Sequence, residues 1–224
     1  MENFTKIWNN LRKEGKHLTK YPYDFVVSFV FRYAPKNKPK KDIKVLDIGC
    51  GIGNHLWFLA KEGFDAYGID GSKIAIEFAK KLLKEFGVNA KLKLHDFTKP
   101  FPFEKNFFDL IIDRSALTCI SYKDMKRTLD EIHRILKPGG YFLFTPYSKH
   151  HTSYTKSKNK KSSFINVESG SLKGTGWVCF YDENDIKNII DPNKWKVCSL
   201  IENISHDKIN DNVDAMWIVI LKKL

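Results

Sequence analysis

The sequence is poor in cysteine and has no long apolar run. Its four cysteines are far apart and form no Cys-x-x-Cys pair; they are Cys50, Cys119, Cys179 and Cys198. Because metal clusters and disulfide frameworks need closer spacing, we expect no metal site and a reducing, cytoplasmic environment. The longest apolar run, Phe25 to Phe31, is interrupted by Ser28, whereas a membrane span needs ~20 residues. The first residues lack a basic region followed by an apolar segment, so we expect no signal peptide.

Arginine is scarce as well, with 5 arginines against 33 lysines. Arginine is the usual residue for bidentate recognition of phosphates and bases, so this composition argues against a nucleic-acid partner. The chain is nevertheless basic, because 38 Lys and Arg against 26 Asp and Glu leave a net charge of +12. Residues 1–44 carry +7 and residues 149–161 carry +5, so the rest of the chain is neutral.

The 224 residues fit one domain of ordinary size, and a hydrophobic content of 42% excludes a disordered chain. From residue 43 onward, strand-like apolar runs alternate with helical patterns, which predicts βαβ units around a parallel sheet. Strands are predicted over 43–48, 64–69, 90–95, 108–113 and 141–145, with a terminal strand pair over 194–204 and 213–222. We interpret residues 1–42 as a cap of two short helices and residues 43–224 as the main domain. The polar stretch 146–176 is predicted to be a lid.

A glycine turn follows the first predicted strand. The sequence VLDIGCGIG at 45–53 places Gly49, Gly51 and Gly53 between a buried strand and a helix. Glycine allows positive φ and close approach of a ligand, and the helix start offers unpaired N–H groups. Asn54 stands where a dinucleotide fingerprint requires a further glycine, so that pattern is not met. Asp47 would lie too close to a diphosphate and suits a cation better.

Four acidic residues fall at the predicted carboxyl ends of parallel strands, where ligands bind in open α/β sheets: Asp47, Asp70, Asp96 and Asp113. An acid at the position of Asp70 can accept both hydrogens of a ribose diol. Asp96 and the following Phe97 can take an exocyclic amino group and cover an adenine face.

Together these motifs resemble class I S-adenosylmethionine-dependent methyltransferases. The signatures are VLDIGCGIG, GID at 68–70, HDF at 95–97, FDLIID at 108–113 and LKPGG at 136–140, and the resemblance runs from about residue 43 to the end. It implies an α/β, Rossmann-like fold with a seven-stranded, mostly parallel sheet, an antiparallel last strand and helices on both faces. It also implies S-adenosyl-L-methionine as the cofactor and S-adenosyl-L-homocysteine as the product.

The resemblance further implies the residues of the cofactor site. Asp47 and the backbone of the glycine turn would face the methionine part, Asp70 the ribose hydroxyls, and Asp96 with Phe97 the adenine. The full predicted set is Trp8, Tyr21, Asp47, Gly49, Cys50, Gly51, Asn54, Asp70, Gly71, Ser72, Asp96, Phe97 and Asp113. We interpret His55 as a residue that is packed or lies on the helix surface rather than as a ligand contact.

The segment after the fourth strand bears on the subclass. Enzymes that methylate adenine amino groups usually carry Asp/Asn-Pro-Pro-aromatic there, whereas this chain has DRSAL at 113–117. Cytosine C5 enzymes need a nucleophilic cysteine, usually after proline, and Cys119 follows Thr118. DRSAL resembles the strand ending of small-molecule methyltransferases of the thiopurine and tellurite-resistance kind. The N-terminal pattern containing Trp8 and Tyr21 resembles methyltransferases of capsule and surface-glycan loci, some of them linked to O-methyl phosphoramidate.

The charge pattern points to the kind of methyl acceptor. In this fold the N-terminal addition and the segment after strand five commonly cover the acceptor site, and here both are rich in lysine, which would concentrate a small anionic substrate. A neutral acceptor would need a base, for which His150, His151 and Tyr147 are the candidates, whereas a phosphate or phosphoramidate oxygen needs none. Arg114 would contact the methionine carboxylate or the acceptor.

We therefore predict a methyltransferase that acts on a small anionic acceptor in capsule or surface-polysaccharide biosynthesis. Two alternatives stay open. A nucleic-acid methyltransferase would use the lysine segments as a backbone track, although few arginines and no separate binding domain argue against it. A non-catalytic module would keep the fold for interaction alone.

Overall fold

The computed structural model describes residues 2–16, 18–158 and 162–224. Its helices are α1 (Glu2–Lys13), α2 (Asp24–Tyr33), α3 (Asn54–Lys61), α4 (Lys73–Glu85), α5 (Tyr122–Ile135), α6 (Thr152–Thr155) and α7 (Glu183–Ile189). Its strands are β1 (Lys44–Ile48), β2 (Asp65–Asp70), β3 (Lys91–Leu94), β4 (Phe108–Asp113), β5 (Leu136–Phe144), β6 (Tyr147–Ser148), β7 (Phe164–Asn166), β8 (Trp177–Tyr181), β9 (Trp195–Asp207) and β10 (Asn212–Lys223). None of the helices in these ranges has the length and apolar composition that crossing a membrane requires.

The sheet is mixed and mostly parallel, as predicted. Strands β3, β2, β1, β4 and β5 lie side by side in that order and are parallel to one another. The last strand, β10, runs antiparallel to β5 on one side and to β9 on the other. Because the five parallel strands run in one direction, their carboxyl ends meet at one edge, where Asp70 ends β2 and Asp113 ends β4.

The sheet has ten strands rather than the predicted seven, because the segment after β5 is not a structureless lid. β6 pairs with both β10 and β8, and β8 pairs with β7, so three short strands extend the sheet. The segment has a small core of its own, formed by Ile165, Val167, Leu172, Val178 and Phe180. Sequence reasoning missed β8, whose continuous apolar run is typical of a strand buried on both faces. Residues 159–161 of the predicted lid lie outside the described residues.

The two helices within residues 1–42 have different positions. α2 buries Val26, Phe29 and Val30 in the core layer that also contains α3 and α4, whereas α5 and α7 cover the opposite face of the sheet. α1 packs on α4 and reaches the carboxyl edge of the sheet. α2 is therefore part of the main helical layer, and α1 is the element that covers the sheet edge. The domain boundary at residue 43 stays a prediction.

A buried lysine anchors the end of β10. The Lys223 Nζ donates hydrogen bonds to the Asn106 side chain at 2.9 Å and to the backbone oxygens of His133 and Leu136 at 2.6 and 2.8 Å. Lys223→Met would leave these acceptors without a donor, so we expect the free energy of unfolding to fall by about 2–4 kcal/mol in urea denaturation. The neighbouring Lys222→Met should cost less than about 1 kcal/mol, and an equal loss in both variants would contradict the anchoring role.

Candidate active site

A cavity lies at the carboxyl edge of the sheet, between α1 and the segment after β5. The predicted site residues that line it are Trp8, Asp47, Gly49, Cys50, Gly51, Asn54, Asp70, Gly71, Ser72, Phe97, Arg114 and Tyr147. They come from α1, from the turns after β1 and β2, and from the segments after β3, β4 and β5. The sheet edge therefore gathers residues that are distant in the sequence.

The glycine turn after β1 is tightly packed at Gly49 and has free space beside Gly51. Gly49, Gly51 and Gly53 all have positive φ, at 66°, 55° and 84°. A Cβ atom on Gly49 would lie 2.2 Å from the Ala116 Cβ, so this turn packs directly on the turn after β4. A Cβ atom on Gly51 would come no closer than 3.7 Å to its nearest neighbour, Arg12 Nη2. The backbone around Gly51 is therefore accessible to a ligand.

Asp70 connects three segments of the site. Its Oδ2 accepts a hydrogen bond from the Gly51 N–H at 2.9 Å, and its Oδ1 accepts one from the Ser72 N–H at 2.8 Å. Arg12 Nη2 lies 3.6 Å from Oδ2. Burial raises the pKa of Asp70, and Arg12 with the two backbone N–H groups opposes that shift. Because each carboxylate oxygen has two lone pairs, Asp70 keeps acceptor capacity for a ligand hydroxyl.

Arg12 is a site residue that sequence reasoning missed. It is 7% exposed, and its Nη1 has no hydrogen-bond partner among the described residues. α1 is held in place by Asn9, whose side-chain oxygen accepts a hydrogen bond from Ser72 Oγ at 2.5 Å. Thr5, Trp8 and Arg12 all line the cavity and follow the i, i+3, i+7 spacing of one helix face. That spacing is the signal that could have identified Arg12 from the sequence.

Asp47 and His55 form a buried pair in the cavity wall. His55 Nδ1 lies 3.2 Å from Asp47 Oδ2, and the two side chains are 3% and 2% exposed. An ionised carboxylate can only accept, so Nδ1 carries the hydrogen of this bond. His55 Nε2 has no partner among the described residues, and its ring centre lies 5.9 Å from that of Tyr23. His55 is therefore packed within the cavity wall, and our expectation that it makes no ligand contact stays a prediction.

Arg114 is held in the cavity wall by the turn after β4. Its guanidinium carbon lies 4.2 Å from the centre of the Tyr23 ring, and its Nη1 donates a hydrogen bond to Ser115 Oγ at 2.7 Å. Tyr147 also lines the cavity, and the Arg114 Nε has no partner among the described residues. Ser115 has a positive φ of 57°, and its N–H and Oγ bond Thr145 at 3.1 and 2.6 Å. The turn thus fixes the guanidinium and leaves one donor unused.

Burial shifts the pKa values of the groups around Arg114. It raises the pKa of Asp113 to about 7, although hydrogen bonds from two backbone N–H groups oppose the shift. It also raises the pKa of the Cys119 thiol, and that of Tyr147 against the opposing effect of Arg114. This shift favours the protonated phenol, which can donate a hydrogen bond, and a role of Tyr147 as a base stays a prediction. Asp113 is fully buried and does not line the cavity.

Two predicted cofactor residues also lie outside the cavity lining. Tyr21 is 63% exposed, and its ring packs edge-on against Trp57 with 6.0 Å between the ring centres. Asp96 accepts hydrogen bonds from the N–H and the hydroxyl of Thr98 at 2.9 and 2.6 Å, which closes a local turn. Neither residue lines the cavity.

The two histidines predicted as bases lie elsewhere too. His150 is exposed, and its Nδ1 lies 2.6 Å from Glu202 Oε1. His151 is buried, but it caps α6 by accepting a hydrogen bond from the Ser153 N–H at 3.0 Å, and its Nε2 lies 3.2 Å from Asp214 Oδ1. Burial lowers the pKa of His151, against the effect of Asp214. Both rings have structural partners, and neither lines the cavity.

Within the described residues, the lysines of the two basic segments do not line the cavity either. Lys149 pairs with Asp182 and Asp185 at 2.7 Å each, and Lys156 pairs with Asp211 at 3.3 Å. Lys160 and Lys161 lie outside the described residues. The cations in the described lining are Arg12 and Arg114. A ligand in the cavity would therefore meet these two arginines rather than the lysines of the basic segments.

The methyltransferase domain family matches residues 39–196, a stretch that contains the glycine turn and the strand-end acids. The chain belongs to this family. This methyltransferase is 29% identical over 158 residues to a tRNA N(3)-methylcytidine methyltransferase of Drosophila melanogaster, covering 65% of this chain and 46% of the relative. It is 30% identical over 126 residues to the sarcosine/dimethylglycine N-methyltransferase of Aphanothece halophytica, covering 55% and 45%. The chain spans about half the length of these curated relatives.

A solved structure from Methanosarcina mazei, a SAM-dependent methyltransferase, has the same fold as this methyltransferase. The TM-score is 0.72 at 21% identity, and the match covers 91% of this chain and 99% of the other. The family match confirms, at the level of the family, the predicted methyltransferase class and its cofactor, S-adenosylmethionine.

The lining of the cavity fits this cofactor. Asp47 and Asp70 supply acceptors for an ammonium group and ribose hydroxyls, and the backbone at Gly51 allows close approach. Arg12 Nη1 is an unused donor suited to a carboxylate, and Phe97 supplies an aromatic face for adenine. When bound, the cofactor supplies a methyl group on a positively charged sulfur.

The contact between Gly49 and Ala116 can be tested by substitution. In Gly49→Ala, strain at positive φ adds to the clash with Ala116, so we expect the free energy of unfolding to fall by about 2–4 kcal/mol. Gly63 also has a positive φ, 88°, but a Cβ atom there would meet nothing within 4 Å. Gly63→Ala should therefore cost only about 1 kcal/mol in the same urea titration. Equal losses would mean that the two turns do not pack as described.

The role of Asp70 can be measured with S-adenosylhomocysteine by isothermal calorimetry. Asp70→Asn replaces an acceptor by an NH2 group that faces an N–H donor, so we expect at least tenfold weaker binding, about 1.4 kcal/mol. Wild-type affinity should also fall on acidification, because the buried Asp70 carboxylate takes up a proton at a higher pH than an ordinary aspartate. Asp65→Asn, at the opposite end of β2, should leave the affinity unchanged. Unchanged affinity in Asp70→Asn would discard the ribose assignment.

Proposed function

We propose that the protein transfers the methyl group of S-adenosylmethionine to a small anionic acceptor whose negative group is held by Arg114. The observation that carries this proposal is the Arg114 guanidinium in the cavity wall, with an Nε donor that has no partner among the described residues. A guanidinium with an unused donor in a buried site is costly unless a ligand pairs with it. Carboxylates and phosphates are the groups that arginine pairs with best.

The number of arginines in the cavity supports an anionic acceptor. Arg12 and Arg114 each leave one N–H donor unused. The cofactor has a single anionic group, its methionine carboxylate, so its negative charge can balance that of one guanidinium. Arg12 is beside Gly51 and Asp70, the residues that fit the cofactor. The second guanidinium is then available to the acceptor.

The state of Asp113 strengthens this assignment. Asp113 directly precedes Arg114 in the chain, and burial raises its pKa to about 7. It is therefore only partly ionised near neutral pH and does not fully compensate the charge of Arg114. Arg12, in contrast, has the Asp70 carboxylate 3.6 Å away. Of the two guanidiniums, Arg114 is the one with the greater need of an anionic partner.

The chemistry that this arrangement supports is an in-line displacement. Holding the nucleophile against the methyl group converts a two-molecule encounter into a step within one complex, and this positioning accounts for much of the rate. Arg114 would orient the anionic part of the acceptor, and Tyr147 would donate a hydrogen bond beside it. The relative from Aphanothece halophytica is named for sarcosine and dimethylglycine, which are small amines that carry a carboxylate. A place in capsule or surface-polysaccharide biosynthesis remains part of the proposal and derives from the N-terminal sequence pattern.

Methyl transfer to RNA is the second candidate, favoured by the similarity to a tRNA methyltransferase. It would require a basic surface around the cavity, whereas the lysines Lys149 and Lys156 pair with acids. RNA binding that falls steeply with salt while S-adenosylhomocysteine is bound would support this candidate over a small acceptor.

Calorimetry with two arginine variants tests the proposed function. With S-adenosylhomocysteine saturating, wild-type protein is titrated with sarcosine, phosphoserine, glucose 6-phosphate and uridine diphosphate N-acetylglucosamine. We expect Arg114→Met to weaken binding of the anion that wild type takes by at least tenfold, while changing affinity for S-adenosylhomocysteine less than threefold. Arg12→Met should show the reverse pattern.

The control is Arg127→Met, since Arg127 is exposed on α5 and pairs with Asp124 at 3.0 Å. It should change neither affinity. If Arg114→Met weakens S-adenosylhomocysteine as much as Arg12→Met does, Arg114 serves the cofactor and the anionic acceptor loses its main support.

A further inference from the structure

We infer that His55, oriented by Asp47, is the general base that takes the proton of the methyl acceptor. This inference rests on the proposed function and narrows its substrate class. The acceptor would be a small anion whose nucleophile is a separate hydroxyl or amino group, rather than the anionic oxygen itself. Nothing in the sequence pattern assigns a base to this position, because His55 follows the glycine turn at the start of α3.

The pairing with Asp47 puts His55 in the form that a base requires. The Nδ1 hydrogen is donated to Asp47 Oδ2 across 3.2 Å, which leaves the lone pair on Nε2. Nε2 is buried and has no partner among the described residues, although the ring lines the cavity. A buried nitrogen without a partner is costly, and a ligand N–H or O–H would satisfy it. Asp47 would also stabilise the imidazolium formed when Nε2 takes up a proton.

The surroundings of His55 connect it to the proposed acceptor site. Its ring lies 5.9 Å from the Tyr23 ring, and the Arg114 guanidinium lies 4.2 Å from that same ring. Tyr23 thus contacts both side chains, and Asp113, the last residue of β4, directly precedes Arg114. His55, Arg114, Asp47, Tyr23 and Tyr147 all line the cavity. Among these lining residues, only His55 has a nitrogen lone pair.

The acceptor gives up a proton to His55 as it takes the methyl group. A bond forms from the acceptor oxygen or nitrogen to the methyl carbon as the carbon–sulfur bond breaks, and the electron pair of that bond stays on sulfur. The acceptor proton passes to His55 Nε2, which becomes an imidazolium beside the Asp47 carboxylate. The proton leaves to water when the products depart. This proton transfer does not need His150, His151 or Tyr147 as a base.

The test needs no knowledge of the acceptor, because two cofactor analogues differ at the reacting position. Sinefungin carries an amino group where S-adenosylmethionine carries its methyl group, and S-adenosylhomocysteine carries nothing there. If Nε2 faces this position, its lone pair accepts from the sinefungin amine. We expect wild-type protein to bind sinefungin at least tenfold more tightly than S-adenosylhomocysteine at pH 8. Calorimetry measures both affinities.

His55→Asn should reduce the ratio of the two affinities to about one while leaving S-adenosylhomocysteine binding within threefold of wild type. His133→Asn is the matched control: its Nε2 is also buried without a partner, but its ring lies against Trp195, away from the cavity. That variant should keep the wild-type ratio. An unchanged ratio in His55→Asn overturns the inference, and so does an equal loss for both analogues, which would mean that His55 contacts the methionine part.

A second measurement on wild-type protein covers the case in which His55→Asn does not fold. Nitrogen-15 spectra of the histidine side chains at pH 8 should show His55 with hydrogen on Nδ1, and sinefungin should shift the Nε2 resonance while S-adenosylhomocysteine should not. Hydrogen on Nε2 would overturn the inference. The proposed function is tested separately by Arg114→Met, so anion binding that depends on Arg114 with an unchanged analogue ratio would discard the base and keep the anionic acceptor.

Discussion

The site depends on the carboxylate of Asp70. One oxygen holds the Gly51 N–H of the turn after β1, the other holds the Ser72 N–H at the start of α4, and the Arg12 guanidinium from α1 lies beside them. Three segments that are far apart in the chain thereby share one acceptor group. Burial makes ionisation of this group costly, and the three donors offset that cost. Loss of the charge would weaken the contacts of the glycine turn and of Arg12 together, whereas Asn9 would still hold α1 through Ser72.

The charges inside the cavity are balanced unevenly, and this imbalance is what points to an acceptor. Arg12 has Asp70 as a neighbour, whereas Arg114 has Asp113, whose pKa burial raises to about 7. Asp47 pairs with His55 Nδ1, and His55 Nε2 has no partner among the described residues. Arg114 and His55 both line the cavity, and both contact the Tyr23 ring. A ligand that brings a negative group and a transferable proton would satisfy both, which is why the two proposals describe one substrate class.

The segment after β5 shows how composition can mislead. Its lysines and serines predict a mobile, charged cover, yet it contains three strands and a small apolar core around Phe180. Leu172, Thr175 and Val178 of this segment line the cavity, whereas Lys149 turns to the acids of α7. The apolar run of β8 is only five residues long, and so short a run does not distinguish a buried strand from a segment of buried helix. What decides its structure is pairing with β10, a strand that lies far along the chain.

The sequence by itself determined the parallel sheet, the antiparallel last strand and the glycine turn, because apolar period and glycine placement are local signals. The sequence also placed Asp47, Asp70 and Gly51 at the sheet edge where the cavity lies, since carboxyl ends of parallel strands always share one edge. Tertiary structure decided which side chains share the cavity wall, since it brings Arg12 and His55 there and takes His150 and His151 away from it. These positions depend on contacts across elements: α1 against β2, α3 against β1, and His151 against Asp214. The helical spacing of Thr5, Trp8 and Arg12 puts them on one face, but only packing of the whole chain decides what that face meets.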